Sequence, residues 1–322
     1  MFGLEKVFFS RVVLISLSFI FQVNAVELHY KGAPQTVLVF GGHTGWFGQE
    51  VAKILKASGH KVILAQSRLE NREDIFRELK TVNPDCVINA AGLTGRPNID
   101  WCDEHRIETI RANLIGALTL ADVTYSCGLH MTNFGTGCFY MYDEAHPIGS
   151  GKIFSETDEP NCLTTFYYRS KVCLEKFLME YPHVLNLRFG MPASSENNPR
   201  NLILKLVKYK KVPNIPNSVA ILDDLLPVAA DMALRKITGV YNFVNPGAIS
   251  HNEILELYKR YVNPELKYQN FSLEEQTQML KLGRSNCELG VHKLLEEYPD
   301  IAHVKKSIYS IMQRLAENIY KK

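Results

Sequence analysis

An open α/β sheet with helices on both faces, followed by a smaller and mostly helical lobe, is predicted for this 322-residue chain. Three observations predict it. Short apolar runs alternate with amphipathic stretches of helical length from Thr36 onward. Three glycines, Gly42, Gly45 and Gly48, follow directly on the first of those runs. After Met191-Pro192 the sequence changes character, and the polar, proline-bounded "PASSENNPRN" leads into helical sequence up to Lys322. Apolar strands alternating with helices argue for a parallel sheet covered on both faces.

The elements follow in order. Lys6 and Arg11 precede an apolar run from Val12 to Phe21, and Val23-Asn24-Ala25 then offers a small-residue cleavage pattern. Two readings stand: a secretory signal, or an apolar extension from an upstream start, the run being short for a membrane span. Residues 1–35 are therefore set apart as a leader. Strands are expected at "TVLVF" (36–40), "KVILA" (61–65), "DCVINAA" (85–91), "HMTNFGTG" (130–137), "HVLNLRF" (183–189) and "GVYNFV" (239–244). Helices are expected over Phe47–Ser58, Ile107–Cys127 and Thr165–Tyr181. This gives a nucleotide-binding domain over 36–190 and a substrate lobe over 191–322 that partly returns to the sheet.

Composition narrows the function. The net charge is +2 and no long run of one sign occurs, so nothing argues for a nucleic-acid surface. Seven cysteines are scattered without a C-x-x-C spacing, which suggests neither a zinc site nor a disulfide framework and fits a reducing compartment. His251 and Glu253 lack a third ligand, and the start of a helix explains the glutamate better, so no metal is expected.

The glycine spacing carries the first chemistry. Gly-x-x-Gly-x-x-Gly after a first strand allows a tight turn, close backbone approach to a pyrophosphate and tight helix packing. The phosphates then rest on the unpaired amides of the following helix, a Rossmann-type arrangement. Thr44, Trp46 and Phe47 belong to the same turn and count as cofactor contacts. About 20 residues beyond such glycines, NAD sites carry an acidic residue for the ribose 2′-hydroxyl. Here Ser67 and Arg68 stand near that place, with Glu70 close by, and a guanidinium would attract the 2′-phosphate of NADP.

Tyr167 and Lys171, four apart on one helix face, carry the second. An ammonium beside a phenol favours the phenolate, so the Tyr167 pKa is expected to fall. Thr136 could then hold a carbonyl while Tyr167 hands it a proton. Cys138, two residues beyond Thr136 in an expected strand, would point the same way.

With these residues in place, the chain resembles the extended short-chain dehydrogenase/reductases. More narrowly it is similar to the nucleotide-rhamnose synthases (3,5-epimerase/4-reductases) and the related dTDP-4-dehydrorhamnose reductases. "AAGLTGRPNIDWCDEHRIETIRAN", "TGCFYMYDEAHPIGSG", "MPASSENNPRN", "IPNSVAILDDLLP" and "NPGAISHNEILELY" carry the likeness, from about residue 36 to the C-terminus. The resemblance implies reduction, by NADPH, of a nucleotide-linked 4-keto-6-deoxyhexose to nucleotide-L-rhamnose. It matches Thr136, Tyr167 and Lys171 to the reductase triad, and the glycines with Ala90, Ala91 and Gly92 to the cofactor contacts. It matches Cys138 and Lys205 to the groups thought to epimerise C3 and C5. A ketone acidifies those C–H bonds, and a thiolate on one face with an ammonium on the other would exchange the protons.

Thr94 and Arg96 are expected to line the sugar pocket, with Arg200 meeting the substrate diphosphate and Asn201 counted among the substrate-binding residues. Asn113 is expected to order the helix behind the site. Expected partners are the nucleotide sugar and a second copy of the chain, with no membrane beyond the leader. The expected location is the cytoplasm, or the secretory pathway should the leader be a true signal. The rival readings are a monofunctional reductase needing a separate epimerase, and a non-catalytic NADP-binding subunit resembling the regulatory subunit of methionine adenosyltransferase. A dehydratase is disfavoured, since its relatives follow the threonine with adjacent Asp and Glu, and Gly137 and Cys138 stand here.

Overall fold

The computed structural model describes residues 26–95, 98–272, 274–275, 278 and 284–320. Most of the leader, including its apolar run, lies outside the described residues.

Six parallel strands form the central sheet: β1 (Thr36–Phe40), β2 (Lys61–Leu64), β3 (Cys86–Asn89), β4 (His130–Thr136), β5 (Val184–Phe189) and β6 (Gly239–Phe243). Their order across the sheet is β2-β1-β3-β4-β5-β6. The winding reverses between β1 and β3, and the crevice at the C-terminal ends of these two strands is where such a sheet takes its ligand. All six expected strands form, within one or two residues of their expected ends.

The period-2 alternation assigns each face. Val37, Val39, Cys86 and Ile88 pack against Val51 and Leu55 of α1 (Trp46–Ala57) and Ala230 and Ala233 of α8 (Leu222–Leu234). Leu38, Phe40 and Val87 point the other way, onto Ile75 and Leu79 of α2 (Arg72–Val82) and Leu120 of α5 (Gly116–Ser126). Chain beyond residue 191 thus supplies both a covering helix and the sixth strand. The lobe has its own core, in which Leu202, Ile203 and Leu206 of α7 (Leu202–Leu206) meet Ile254 and Leu255 of α9 (His251–Tyr261) and Ile308 and Ile311 of the C-terminal helix (Val304–Tyr320). Ser250 and Glu253 form a reciprocal capping box on α9, which accounts for that glutamate.

The leader boundary at residue 35 needs correction. Val26 and Leu28 pack on the main core, and the Tyr30 N–H donates to Asp231 Oδ1 at 2.7 Å, so residues 26–35 are part of the fold.

A polar ladder crosses the sheet interior. Asn89, Asn133 and Asn186 sit in register on β3, β4 and β5 and pass side-chain hydrogen bonds along the row at 2.8 and 2.7 Å. At one end the Asn89 Oδ1 accepts from the Ala91 N–H. At the other, Asn186 donates to Glu175, which is paired with buried Arg188 at 2.6 Å. A fully satisfied row of this kind fixes strand register and holds the loop after β3 in place.

Candidate active site

The glycine turn is built as a cradle. Gly41 has φ +78°, and a Cβ there would lie 2.6 Å from the Ala91 nitrogen. A Cβ on Gly45 or Gly48 would come within 2.3 or 2.6 Å of the Gly41 oxygen. These positions admit hydrogen alone, so the turn closes tightly while Gly45, extended and without a side-chain cap, leaves the first amides of α1 unpaired. The residues therefore fit a dinucleotide. Trp46 and Phe47 correct the expectation in part: Trp46 is buried, and the Phe47 ring packs on Phe189 at 5.0 Å, so their side chains serve the core. Their backbone remains at the helix start.

Opposite, the segment Ala90–Gly92 leaves β3. A Cβ on Gly92 would lie 3.6 Å from Lys171 Nζ and 3.5 Å from Asn113 Oδ1. Asn113 lies on a single π-helical turn (Arg111–Ile115), a geometry that recurs at functional sites. Its amide grips Leu93 twice, accepting from the Leu93 N–H at 2.8 Å and donating to its carbonyl at 2.7 Å. Exposed Thr94 follows on this loop, and Arg96 lies outside the described residues.

Thr136 ends β4, and Tyr167 lies in the first turn of α6 (Phe166–Leu178), whose N-cap Thr165 accepts from the Tyr168 N–H. Lys171 Nζ stands 5.8 Å from the centre of the Tyr167 ring. Their titration reverses the expectation of a lowered phenol pKa. Burial pushes the Tyr167 phenol well above the ordinary tyrosine range, with Cys138 and Cys102 adding to the rise. The same desolvation pushes the Lys171 ammonium down to about 8. Removal from water outweighs mutual attraction at this spacing, so the phenol is held protonated. Lys171 then loses its charge as pH rises through about 8. If that charge assists the reaction, turnover is expected to decline above about pH 8, and the decline should disappear in a Lys171→Arg variant assayed over pH 6–10.

Cys138 requires a second correction. β4 ends at Thr136, so the thiol lies in the turn after the strand and the alternation does not place it. A local contact does: the Cys138 N–H donates to Thr136 Oγ1 at 3.1 Å, and the Thr136 side chain and Met191 backbone lie close enough to favour the thiolate. Burial raises its pKa despite both neighbours.

The remaining candidates scatter. Arg68 stands exposed at the tip of β2, with Glu70 3.8 Å away. Arg200 reaches the cofactor turn, its guanidinium donating to the Thr44 carbonyl at 3.1 Å. Lys205 lies on the exposed side of α7, its ammonium lowered by partial desolvation and then by Arg200. Asn201 is corrected to a structural role: fully buried, it caps α7 through the Ile203 N–H and donates to Ser194 and Glu196 carbonyls, shaping the loop that carries Arg200. The asparagine ladder was missed, although an Asn at matching depth in three successive strands was its signal. Among the described residues no cluster of three or more His, Cys, Asp or Glu could hold a metal, and no helix is long and apolar enough to cross a membrane.

Residues 37–207 match the family model described as "NAD dependent epimerase/dehydratase family". The chain belongs to this family. A relative within it, the bifunctional dTDP-4-dehydrorhamnose 3,5-epimerase/dTDP-4-dehydrorhamnose reductase of Arabidopsis thaliana, is 47% identical over 268 residues, covering 83% of this chain and 89% of that protein. A trifunctional UDP-glucose 4,6-dehydratase/UDP-4-keto-6-deoxy-D-glucose 3,5-epimerase/UDP-4-keto-L-rhamnose-reductase of the same plant is 48% identical over 276 residues. That match covers 85% of this chain but only 41% of the trifunctional protein, so the chain spans about two fifths of that relative. Among solved structures, the UDP-rhamnose synthase of Acanthamoeba polyphaga mimivirus is 37% identical with a TM-score of 0.81, covering 88% of this chain and all (100%) of that one. A dTDP-4-dehydrorhamnose reductase of Bacillus anthracis in complex with NADP shares the fold, with a TM-score of 0.71 at 16% identity over 87% of this chain and 99% of that one.

Proposed function

We propose that the chain is an NADPH-dependent nucleotide-sugar 4-reductase that also epimerises C3 and C5, converting a nucleotide-4-keto-6-deoxyglucose to nucleotide-L-rhamnose. One observation carries the reading. Lys171 Nζ lies 5.8 Å from the Tyr167 ring centre and 3.6 Å from where a Cβ on Gly92 would stand, while Cys138 both bonds Thr136 and acts on the Tyr167 phenol, which supports a hydroxyl, a phenol and an amine facing one substrate beside the cofactor loop.

Gly42, Gly45, Gly48 and the Ala90–Gly92 segment would hold NADPH, which would supply the hydride. The protein's part is the proton and the grip. Thr136 donates to the C4 carbonyl, and the Tyr167 phenol delivers a proton to that oxygen as it gains charge. A reduction needs its acid protonated at rest, and burial of Tyr167 provides that. Lys171 between Gly92 and the Tyr167 ring orients both partners.

For epimerisation, the same two donors stabilise the enolate that forms when a proton leaves C3 or C5. Cys138 removes it, and Lys205 returns one to the opposite face. α7 and the short strand Met191–Ala193 share one packed core, and the Met191 backbone acts on the Cys138 thiol, which supports reading the two groups as neighbours on adjoining walls. Among the described residues no disulfide joins any of the cysteines, which supports a reducing cytoplasm as the place of action.

Incubation of the purified chain with UDP- and dTDP-4-keto-6-deoxyglucose and NADPH, without added epimerase, is expected to yield the L-rhamnose product by NMR. A 4-reduced D-sugar alone would favour the monofunctional reductase. No NADPH oxidation with either substrate, by folded protein that binds NADPH, would favour the regulatory subunit.

A further inference from the structure

From the tip of β2 we infer that Glu78 sets the preference between NADPH and NADH by filling, with its own carboxylate, the donors nearest the adenosine ribose; the inference rests on the nucleotide site proposed above.

Three donors converge on this one side chain. The Gln66 N–H reaches Glu78 Oε1 at 2.8 Å, and the Ser67 N–H reaches Oε2 at 2.9 Å. The Ser67 hydroxyl donates to the same Oε2. All three lie just past the C-terminal end of β2, which pairs with β1 and so stands beside the glycine turn. The turn itself reaches across, with His43 Nε2 3.1 Å from Gln66 Nε2. In sheets of this type the strand tip next to the glycine turn holds the adenosine ribose.

The two nucleotides differ there in one respect. NADH presents a 2′-hydroxyl, which can donate to a carboxylate. NADPH presents a phosphate, which only accepts and carries about two negative charges, so it needs the donors that Glu78 holds and is repelled by the anion holding them. Glu78 thus does from α2 what an acidic residue at the strand tip does in NAD sites.

Arg68 opposes it. That guanidinium is free to turn, since its side chain is 86% exposed and its ion pair with Glu70 is a loose 3.8 Å. Arg68, Arg72 and Arg111 line one open depression at this edge, with Glu70, Glu73 and Asp74 among them, and Arg72 is engaged by Asp122. A phosphate entering this edge meets attraction from Arg68 and competition from Glu78. The balance makes the chain tolerant of both nucleotides, with Glu78 restraining the preference for NADPH.

The test measures binding, independently of turnover. Dissociation constants of the full chain for NADPH and NADH are read by calorimetry in wild type, Glu78→Gln and Arg68→Ala, with thermal unfolding as a check on folding. Glu78→Gln keeps the size and removes the charge, and is expected to raise the NADPH-over-NADH affinity ratio by about tenfold. Arg68→Ala is expected to lower the same ratio. An unchanged ratio in folded Glu78→Gln, or equal weakening of both nucleotides, would overturn the inference and leave Glu78 as a brace between α2 and β2. Wild type that bound neither nucleotide would overturn the proposed cofactor site, and this inference with it.

Discussion

Tyr167→Phe is expected to lower the turnover of 4-keto sugar reduction by about a thousandfold, within the range attributed to a positioned general acid. The substitution removes a single oxygen from a buried side chain that keeps its ring contacts, so folding should survive. NADPH affinity should be unchanged, because the cradle at Gly42–Gly48 does not involve the phenol. The loss should appear in kcat more than in KM, as for a group whose proton moves only in the transition state. Native turnover by this variant would remove Tyr167 from the chemistry and leave it among the core aromatics, where it packs near Tyr168 at 6.0 Å.

Cys138→Ser is expected to separate the two proposed reactions. In deuterated water, exchange at C3 and C5 of the 4-keto sugar should fall by at least about a hundredfold, because a serine hydroxyl is a far poorer base than a thiolate. Reduction of a substrate already epimerised should continue. The thiol's raised pKa sets the sign of the pH response: a base must be unprotonated, so exchange in the native chain should quicken as pH rises above neutrality. Undiminished exchange in the variant would return Cys138 to the role of a small buried packing residue. The bond from the backbone N–H of residue 138 to Thr136 Oγ1 does not depend on the thiol and serine is similar in size, so lost exchange with retained reduction would report chemistry and not collapse.

The strands were legible because each is a run of apolar residues whose neighbours in sequence are also its structural context. Thr36–Phe40 needs no partner to be recognised as buried on both sides. The glycine turn was legible for a related reason, since its spacing specifies a backbone path over seven residues and nothing else. Thr136, Tyr167 and Lys171 were legible as types and spacings. Their ionisation was not. Spacing suggested an ammonium acting on a phenol, whereas burial of both groups moved the phenol up and the amine down. Cys138 shows the opposite case: the strand stopped two residues short of it, yet a bond to Thr136 kept the two together.

What the sequence by itself determined is the order of strands and helices along the chain, the glycine turn and the candidates for the reactive side chains, all properties carried by periodicity or by residues a few places apart. The tertiary structure alone decided which of those side chains are charged, that Asn201 is consumed within its own loop, and that Glu78 occupies the tip of β2. It also decided that Asn89 and Asn133, 44 residues apart, share a hydrogen bond inside the sheet. The physical reason is common to all four. Protonation and hydrogen-bond pairing depend on how much water a group has lost and on which distant group has replaced it, and neither quantity exists until the chain has packed.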